Sequence, residues 1–180
     1  MKSLSLGSPH AIIMVGIAGS GKTFFAEKFA NTFGAPYVNA DQLAQHAKDI
    51  AATTELTRAL VGELVKTKQT IVVDAGGNTR RERSEFAKFL RAQGYAPLFV
   101  WVQIDQETAR YRSNRRTASS TSIAGHFSPP HASEKAVVVS GKHTYATQAK
   151  VVLKHLSAPR SEISAHRRPL AREGRSVPIQ

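Results

Sequence analysis

The sequence predicts an α/β protein in which a parallel β-sheet is covered by helices on both faces. Three observations carry that expectation. Short runs of β-branched and aliphatic residues alternate with longer amphipathic stretches, the pattern of strands joined by crossover helices. The first apolar run leads directly into a glycine-rich turn and then a helical stretch, a strand–loop–helix unit. Finally, 180 residues, 41% of them hydrophobic, can bury a core without the disulfides or thiolate metal sites that the absence of cysteine excludes.

Ala11–Val15 (AIIMV) is the first strand, apolar throughout as a strand buried on both faces should be. Lys22–Phe33 follows as a helix with Phe24, Phe25, Phe29 and Phe33 at helical spacing, stopped by Gly34. Pro36–Ala40 reads as a short second strand ending at Asp41, and Thr53–Lys66 as a helix that carries Leu56, Leu60, Leu64 and Val65 on one face. Thr70–Asp74 is the third strand, ending in a Gly-Gly turn. Thr79–Gln93 is a helix with Phe86, Phe89 and Leu90 on its inner face. Pro97–Ile104 is the fourth strand, Gln106–Arg116 a basic helix, Ala136–Val139 the fifth strand and His143–Leu156 the last helix.

The Ser/Thr-rich stretch Thr117–Lys135 carries no periodicity and contains a Pro-Pro pair. Long connections of this kind in compact domains are functional or disordered, so positions of about 110–135 are expected to form a lid-like segment. From Ala158 the chain turns polar and basic without periodicity. The expected organisation is one domain over 1–157 and a flexible tail over 158–180.

Gly16-Ile17-Ala18-Gly19-Ser20-Gly21-Lys22-Thr23 matches G-x-x-x-x-G-K-[ST] at every position. Its glycines permit a loop that wraps an oxyanion with backbone N–H groups at a helix N-terminus, where the dipole also favours negative charge. A chance match in a chain of this length is on the order of one in a hundred. Gly16, Ala18, Gly19, Ser20, Gly21, Lys22, Thr23 and the following Phe24 are therefore expected to hold a nucleoside triphosphate. Lys22 would reach the β- and γ-phosphates and Thr23 would join a Mg²⁺ shell.

Asp41 and Asp74 close the second and third strands, on the sheet edge where ligands of open α/β folds bind. Asp74 stands where an acid that holds Mg²⁺ is expected, and Asp41 where a substrate hydroxyl could be deprotonated. Asp is also favoured at helix caps and turns. Arg112, Arg115 and Arg116 lie at i, i+3 and i+4 near the end of the basic helix, suited to neutralising charge on a transferring phosphoryl group. Arg80, Arg81 and Arg83 form a smaller cluster that could bind an anionic substrate. Beside them, Thr79 and Glu82 form a capping box.

The chain carries 25 Lys+Arg against 13 Asp+Glu, a net charge of +12. Such an excess suits phosphate-rich partners, and Arg160, Arg167, Arg168, Arg172 and Arg175 concentrate it in the tail, where nucleic acid could bind. No stretch approaches the ~20 apolar residues of a membrane span, and a cytoplasmic location is expected.

With these residues laid out, the chain resembles the P-loop kinase-like group of AAA-type ATP-binding proteins that sit beside polynucleotide kinases and zeta toxins. The resemblance spans about residues 11–156. It rests on GIAGSGKT, YVNAD, IVVDAGGNTRRER and RYRSNRR. It implies the P-loop NTPase three-layer αβα sandwich, with a five-stranded parallel sheet in the order 2-3-1-4-5. It also implies ATP and Mg²⁺ as cofactors, and transfer of the γ-phosphate to an acceptor hydroxyl. In that scheme Lys22, Asp41, Arg112 and Arg116 are catalytic, with Asp41 the general base. Arg112 also contacts nucleotide, and Thr23 and Asp74 face the metal. Ser140-Gly141-Lys142-His143-Thr144 falls where such kinases contact adenine. The sequence departs from polynucleotide kinases at Ala44, where they place an acceptor-holding arginine. ATP rather than GTP is implied by the resemblance, and no N-K-x-D motif is present. The functional expectation is a Mg²⁺-dependent phosphotransferase. An ATP-controlled module without an acceptor and a nucleic-acid-associated protein acting through the tail are the alternatives.

Overall fold

The computed structural model describes residues 7–75, 77–115 and 127–157; the tail at 158–180 and the middle of the lid-like stretch, 116–126, lie outside them. Strands β1 (His10–Val15), β2 (Tyr37–Asn39), β3 (Ile71–Asp74), β4 (Ala96–Gln103) and β5 (Val137–Ser140) form one sheet, parallel at every pairing, in the order β2-β3-β1-β4-β5. The order implied by the resemblance is therefore the observed one. The helices are α1 (Lys22–Phe33), α2 (Ala40–Ala44), α3 (Ile50–Leu64), α4 (Arg80–Ala92), α5 (Gln106–Arg115) and α6 (Tyr145–Leu156). None is long and apolar enough to cross a membrane, among the described residues.

The period-2 alternation of β1 divides the core into two layers. Ile12 and Met14 face one layer, where Phe25 and Phe29 of α1 and Val152 and Leu156 of α6 pack against Val72, Val100 and Val102. Ala11, Ile13 and Val15 face the other, with Val61 of α3 and Phe86 and Leu90 of α4. β1 lies at the centre with all but its first residue buried, so the loop that follows it leaves from the most rigid part of the sheet.

Two elements differ from the sequence expectation. The second strand is only Tyr37–Asn39, and the chain then turns at once into α2, so Asp41 sits in a first helical turn. The buried face of α3 is Thr53, Thr57 and Val61, continued by Val65, while Leu56 and Leu60 are 39% and 37% exposed. A threonine whose hydroxyl bonds back along its own helix presents a methyl group to its surroundings. Thr53 Oγ1 donates to the Asp49 carbonyl at 2.9 Å and Thr57 Oγ1 to that of Thr53 at 2.7 Å, so neither brings an unmet polar demand into the core. Counting only aliphatic residues selects the wrong stripe.

This assignment sets the expected order of two substitutions in α3. Val61→Ala should cost roughly 2 kcal/mol through lost burial and a residual cavity, whereas Leu60→Ala should cost less than about 1 kcal/mol. Urea denaturation midpoints measure both, and the reverse order would restore the leucine face.

Candidate functional site

The site grows from the junction of β1 and α1. Gly21 begins α1 from a left-handed conformation, φ 101°, and no side chain caps the helix. Its first-turn N–H groups, which lack carbonyl partners within the helix, face the loop together with the positive end of the helix dipole. Gly19 is also left-handed, φ 78°, and a Cβ there would collide with the Ala109 carbonyl, so the loop tip rests directly on α5. Ser20 is fully buried and its hydroxyl has no partner among the described residues. Lys22 Nζ donates to the Ile17 carbonyl at 3.0 Å, curled across the loop it serves. Phe24 is 56% exposed on the flank of α1, with the Lys28 ammonium 5.4 Å from its ring centroid.

Two carboxylates stand beside this loop. Thr23 Oγ1 donates to Asp74 Oδ2 at 2.7 Å, which ties the start of α1 to the end of β3. Burial pushes the Asp74 carboxyl above its ordinary pKa, and the nearby Asp41 and Glu27 add to the rise. The Lys22 ammonium and the Thr23 hydroxyl pull the other way without cancelling it. The β2–β3 register pairs Asn39 with Asp74, which brings Asp41, two residues on, to the same sheet edge. Asn39 is the cap of α2, accepting from Asp41 N at 2.9 Å and Gln42 N at 3.4 Å. Asp41 is therefore not needed as a cap, and its side chain is exposed. The Tyr37 hydroxyl is buried beside the Asn39 side chain without a well-formed hydrogen bond among the described residues. Burial, then Asp74 and Glu27, push its pKa up. Tyr37 and Glu27 carry no sequence motif. Tyr37 becomes legible only from its position two residues before Asn39 on the same strand face.

On the other flank, Arg112 donates to the Gly141 carbonyl at 3.0 Å, and Gly141 N donates to Gln103 O at 2.7 Å. Asp105 caps α5 through Thr108 N at 2.8 Å and pairs with Lys142 at 2.7 Å; both interactions hold its carboxyl well below the usual range. A cleft of about 710 Å³ opens here, with Ile17 of the loop, Trp101, Gln103, Phe127 and Ser140 among its walls. Arg110 is exposed, the side chain of Arg115 is outside the described set, and Arg116 lies wholly outside the described residues.

The arginines at the start of α4 do not form an anion site together. Arg83 is fully buried and paired with Glu134 at 2.7 Å, so no ligand from solvent reaches it. Arg81 is exposed and bonded to Glu85 at 2.8 Å, one turn along. Arg80 is exposed, and its backbone N–H donates to Ser128 Oγ at 3.1 Å. Thr79 caps α4 as expected, accepting from Glu82 N, but Glu82 reaches past it to Asn78 N. Glu134, on a 3₁₀ turn (Ala132–Glu134) inside the stretch expected to be structureless, was not legible as a partner. It lies 51 residues from Arg83.

A family model described as an AAA domain matches residues 12–129. A gluconokinase from Sinorhizobium meliloti 1021 has the same fold at TM-score 0.60 and 19% identity, over 82% of this chain and 91% of that one. The Mycobacterium tuberculosis APS kinase CysC, solved with AMPPNP and APS, matches at TM-score 0.62 and 15% identity, over 82% and 96%. Kti12 of Chaetomium thermophilum, solved with ADP-AlF3, matches at 0.61 and 14%, over 83% and 100%. At these identities the likeness is one of fold. No curated protein sequence matches the chain.

The raised pKa of Asp74 has a consequence for stability. A carboxyl whose folded pKa lies above its unfolded value gives a native state that holds the proton longer, so stability falls as pH rises between the two values. Asp74→Asn should therefore raise the melting temperature of the nucleotide-free protein at pH 7. The gain should be smaller at pH 4, as protonation relieves the penalised charge. Thermal scans at the two pH values decide it, and destabilisation at pH 7 would refute the sign.

Proposed function

The chain belongs to the AAA domain family, and we propose that it is an ATP-dependent phosphotransferase acting on a hydroxyl acceptor. The observation that carries this reading is the Thr23–Asp74 hydrogen bond. It joins the phosphate loop to an acid at the adjacent strand end, with Asp41 beside it. A loop that only held a Mg²⁺-nucleotide would need the first acid but not the second, so Asp41 beside the pair is what points to an acceptor. The kinase-like fold supports the same reading, and the absence of a guanine-reading motif favours ATP.

In this scheme the uncapped N–H groups of α1 and the backbone of residues 16–21 cradle the phosphates, and the Lys22 ammonium balances charge on the β–γ bridge. The acceptor hydroxyl gives its proton to the Asp41 carboxylate while its oxygen attacks the γ-phosphorus. The bond to the β–γ bridging oxygen breaks and ADP departs with that electron pair. Arg112, held on the Gly141 carbonyl, and the turn at Ser140–Lys142 are assigned to the base and ribose of the nucleotide. Arg116 is assigned to charge neutralisation during transfer. Thr23 and Asp74 would hold Mg²⁺, which neutralises phosphate charge when bound. Their hydroxyl and carboxylate suit a hard cation. Ala44, in place of the acceptor-holding arginine of polynucleotide kinases, favours a small-molecule acceptor, as the names gluconokinase and APS kinase suggest for the neighbours.

Two substitutions separate donor from acceptor chemistry. Lys22→Ala should abolish tight ATP binding, measured by calorimetry; normal affinity would remove the loop from its role. Asp41→Asn should leave ATP affinity nearly intact and lower transfer by about 10²-fold or more, the loss expected for a general base. The decisive assay is ADP release screened over metabolites, nucleotides, sugar nucleotides and 5′-hydroxyl oligonucleotides, with Lys22→Ala as blank. Tight ATP binding with no acceptor-dependent ADP release would favour a nucleotide-controlled module instead.

A further inference from the structure

Arg83 presents an energetic puzzle. A guanidinium taken wholly out of water loses hydration that its ion pair only offsets, and an apolar side chain of similar volume would fill the space at least as well. What the guanidinium adds is a planar fork of N–H donors with fixed directions. Here the fork spans two segments remote in sequence. One terminal nitrogen donates to the Gly77, Asn78 and Ser128 carbonyls at 3.0, 3.4 and 2.9 Å. The other donates to the Pro129 carbonyl at 3.4 Å and to Glu134 Oε2 at 3.0 Å, and Nε donates to Glu134 Oε1 at 2.7 Å.

Two further bonds join the same segments: Ser128 N to the Asn78 carbonyl at 2.8 Å, and Arg80 N to Ser128 Oγ at 3.1 Å. Gly77 in turn is buried against the end of β1, where a Cβ would run into the carbonyl of Met14, two residues before Gly16. A continuous series of contacts thus leads from the strand of the phosphate loop, through 77–78, to Arg83 and on to 128–129. These two segments are the stretch that follows Asp74 and a wall of the cleft that includes Phe127 and Pro129.

We propose that Arg83 is a positioning residue. Through four backbone carbonyls and Glu134 it holds the 77–80 and 127–130 segments at a set distance from the phosphate loop, and so fixes the wall an acceptor must meet. The consequence for catalysis rests on the phosphotransferase reading; the placement of the wall does not.

The test uses two variants of the full chain. Arg83→Met combined with Glu134→Met removes the pair together, so no lone charge is left buried. Arg83→Lys keeps the charge and loses the fork. In the double variant the melting temperature should stay within a few degrees and ATP affinity within about twofold, while amide exchange at Arg80 and Ser128 accelerates about tenfold or more. With an acceptor from the screen, kcat for transfer should fall about tenfold or more at unchanged KM for ATP, and Arg83→Lys should lie between. Unchanged exchange, unchanged kcat, or loss of ATP binding in step with melting temperature would overturn the proposal and leave Arg83 a strut of the fold. If the double variant does not fold, the same comparison is made on Arg83→Lys. If the unmodified chain transfers phosphate to nothing, the phosphotransferase reading fails, and the exchange comparison alone decides the placement.

Discussion

The structure depends on one constraint: a helix must begin without a side-chain cap at the centre of a parallel sheet. The N-terminus of α1 carries four N–H groups with no helical carbonyl, and here no side chain answers them. Such an end is left to water or to a ligand, and one that is to hold an anion must be rigidly placed. β1 supplies the rigidity, since it is paired on both sides and buried from Ala11 to Val15. The left-handed Gly19 and Gly21 let the chain reverse in the narrow space between that strand and α5. The phenylalanines of α1 that drive its packing, Phe25 and Phe29, are buried in one core layer and anchor the helix.

From this constraint the neighbouring acids follow. A carboxylate at the end of β3 is close enough to accept from Thr23, and it does so while burial penalises its charge. A purely structural residue there would be apolar, like the three before it. Asp41 is placed by a different device: the abrupt switch from strand to helix at Asn39, whose side chain takes over capping and leaves the aspartate exposed at the edge. The two acids thus have opposite environments, one desolvated and one open.

How far the sequence foretold this depended on the range of the interaction involved. The strands, α1 and the phosphate loop were legible because each rests on local periodicity or on an unbroken motif, and the strand order followed only from the family resemblance that those motifs carry. The face of α3 was misjudged because a threonine bonded to its own helix is apolar in effect and polar in composition. The basic run at Arg80, Arg81 and Arg83 appeared uniform, yet its members have different fates, since position 83 alone points inward, and its partner Glu134 lies 51 residues away. A charge run records composition. Which charge is desolvated is decided by tertiary contacts that no local pattern contains.

The same reasoning explains where this fold tolerates imperfection. Buried hydroxyls without partners destabilise a protein by about 1–3 kcal/mol each. Among the described residues such atoms are those of Ser20 and Tyr37, one inside the phosphate loop and the other beside Asp74, Glu27 and Asp41. Asp74 itself is half-buried at a cost to its charged form. Elsewhere buried polar groups are answered: Thr53 and Thr57 by their own helix, Gln148 by the Ser140 carbonyl, Arg83 by six oxygens. The unmet demands therefore gather around the uncapped helix end, while the two apolar layers stabilise the rest. Among the described residues, buried side-chain polar groups met everywhere except at one sheet edge are what a site completed by a charged ligand requires, because only there would satisfying them internally remove the reason to bind.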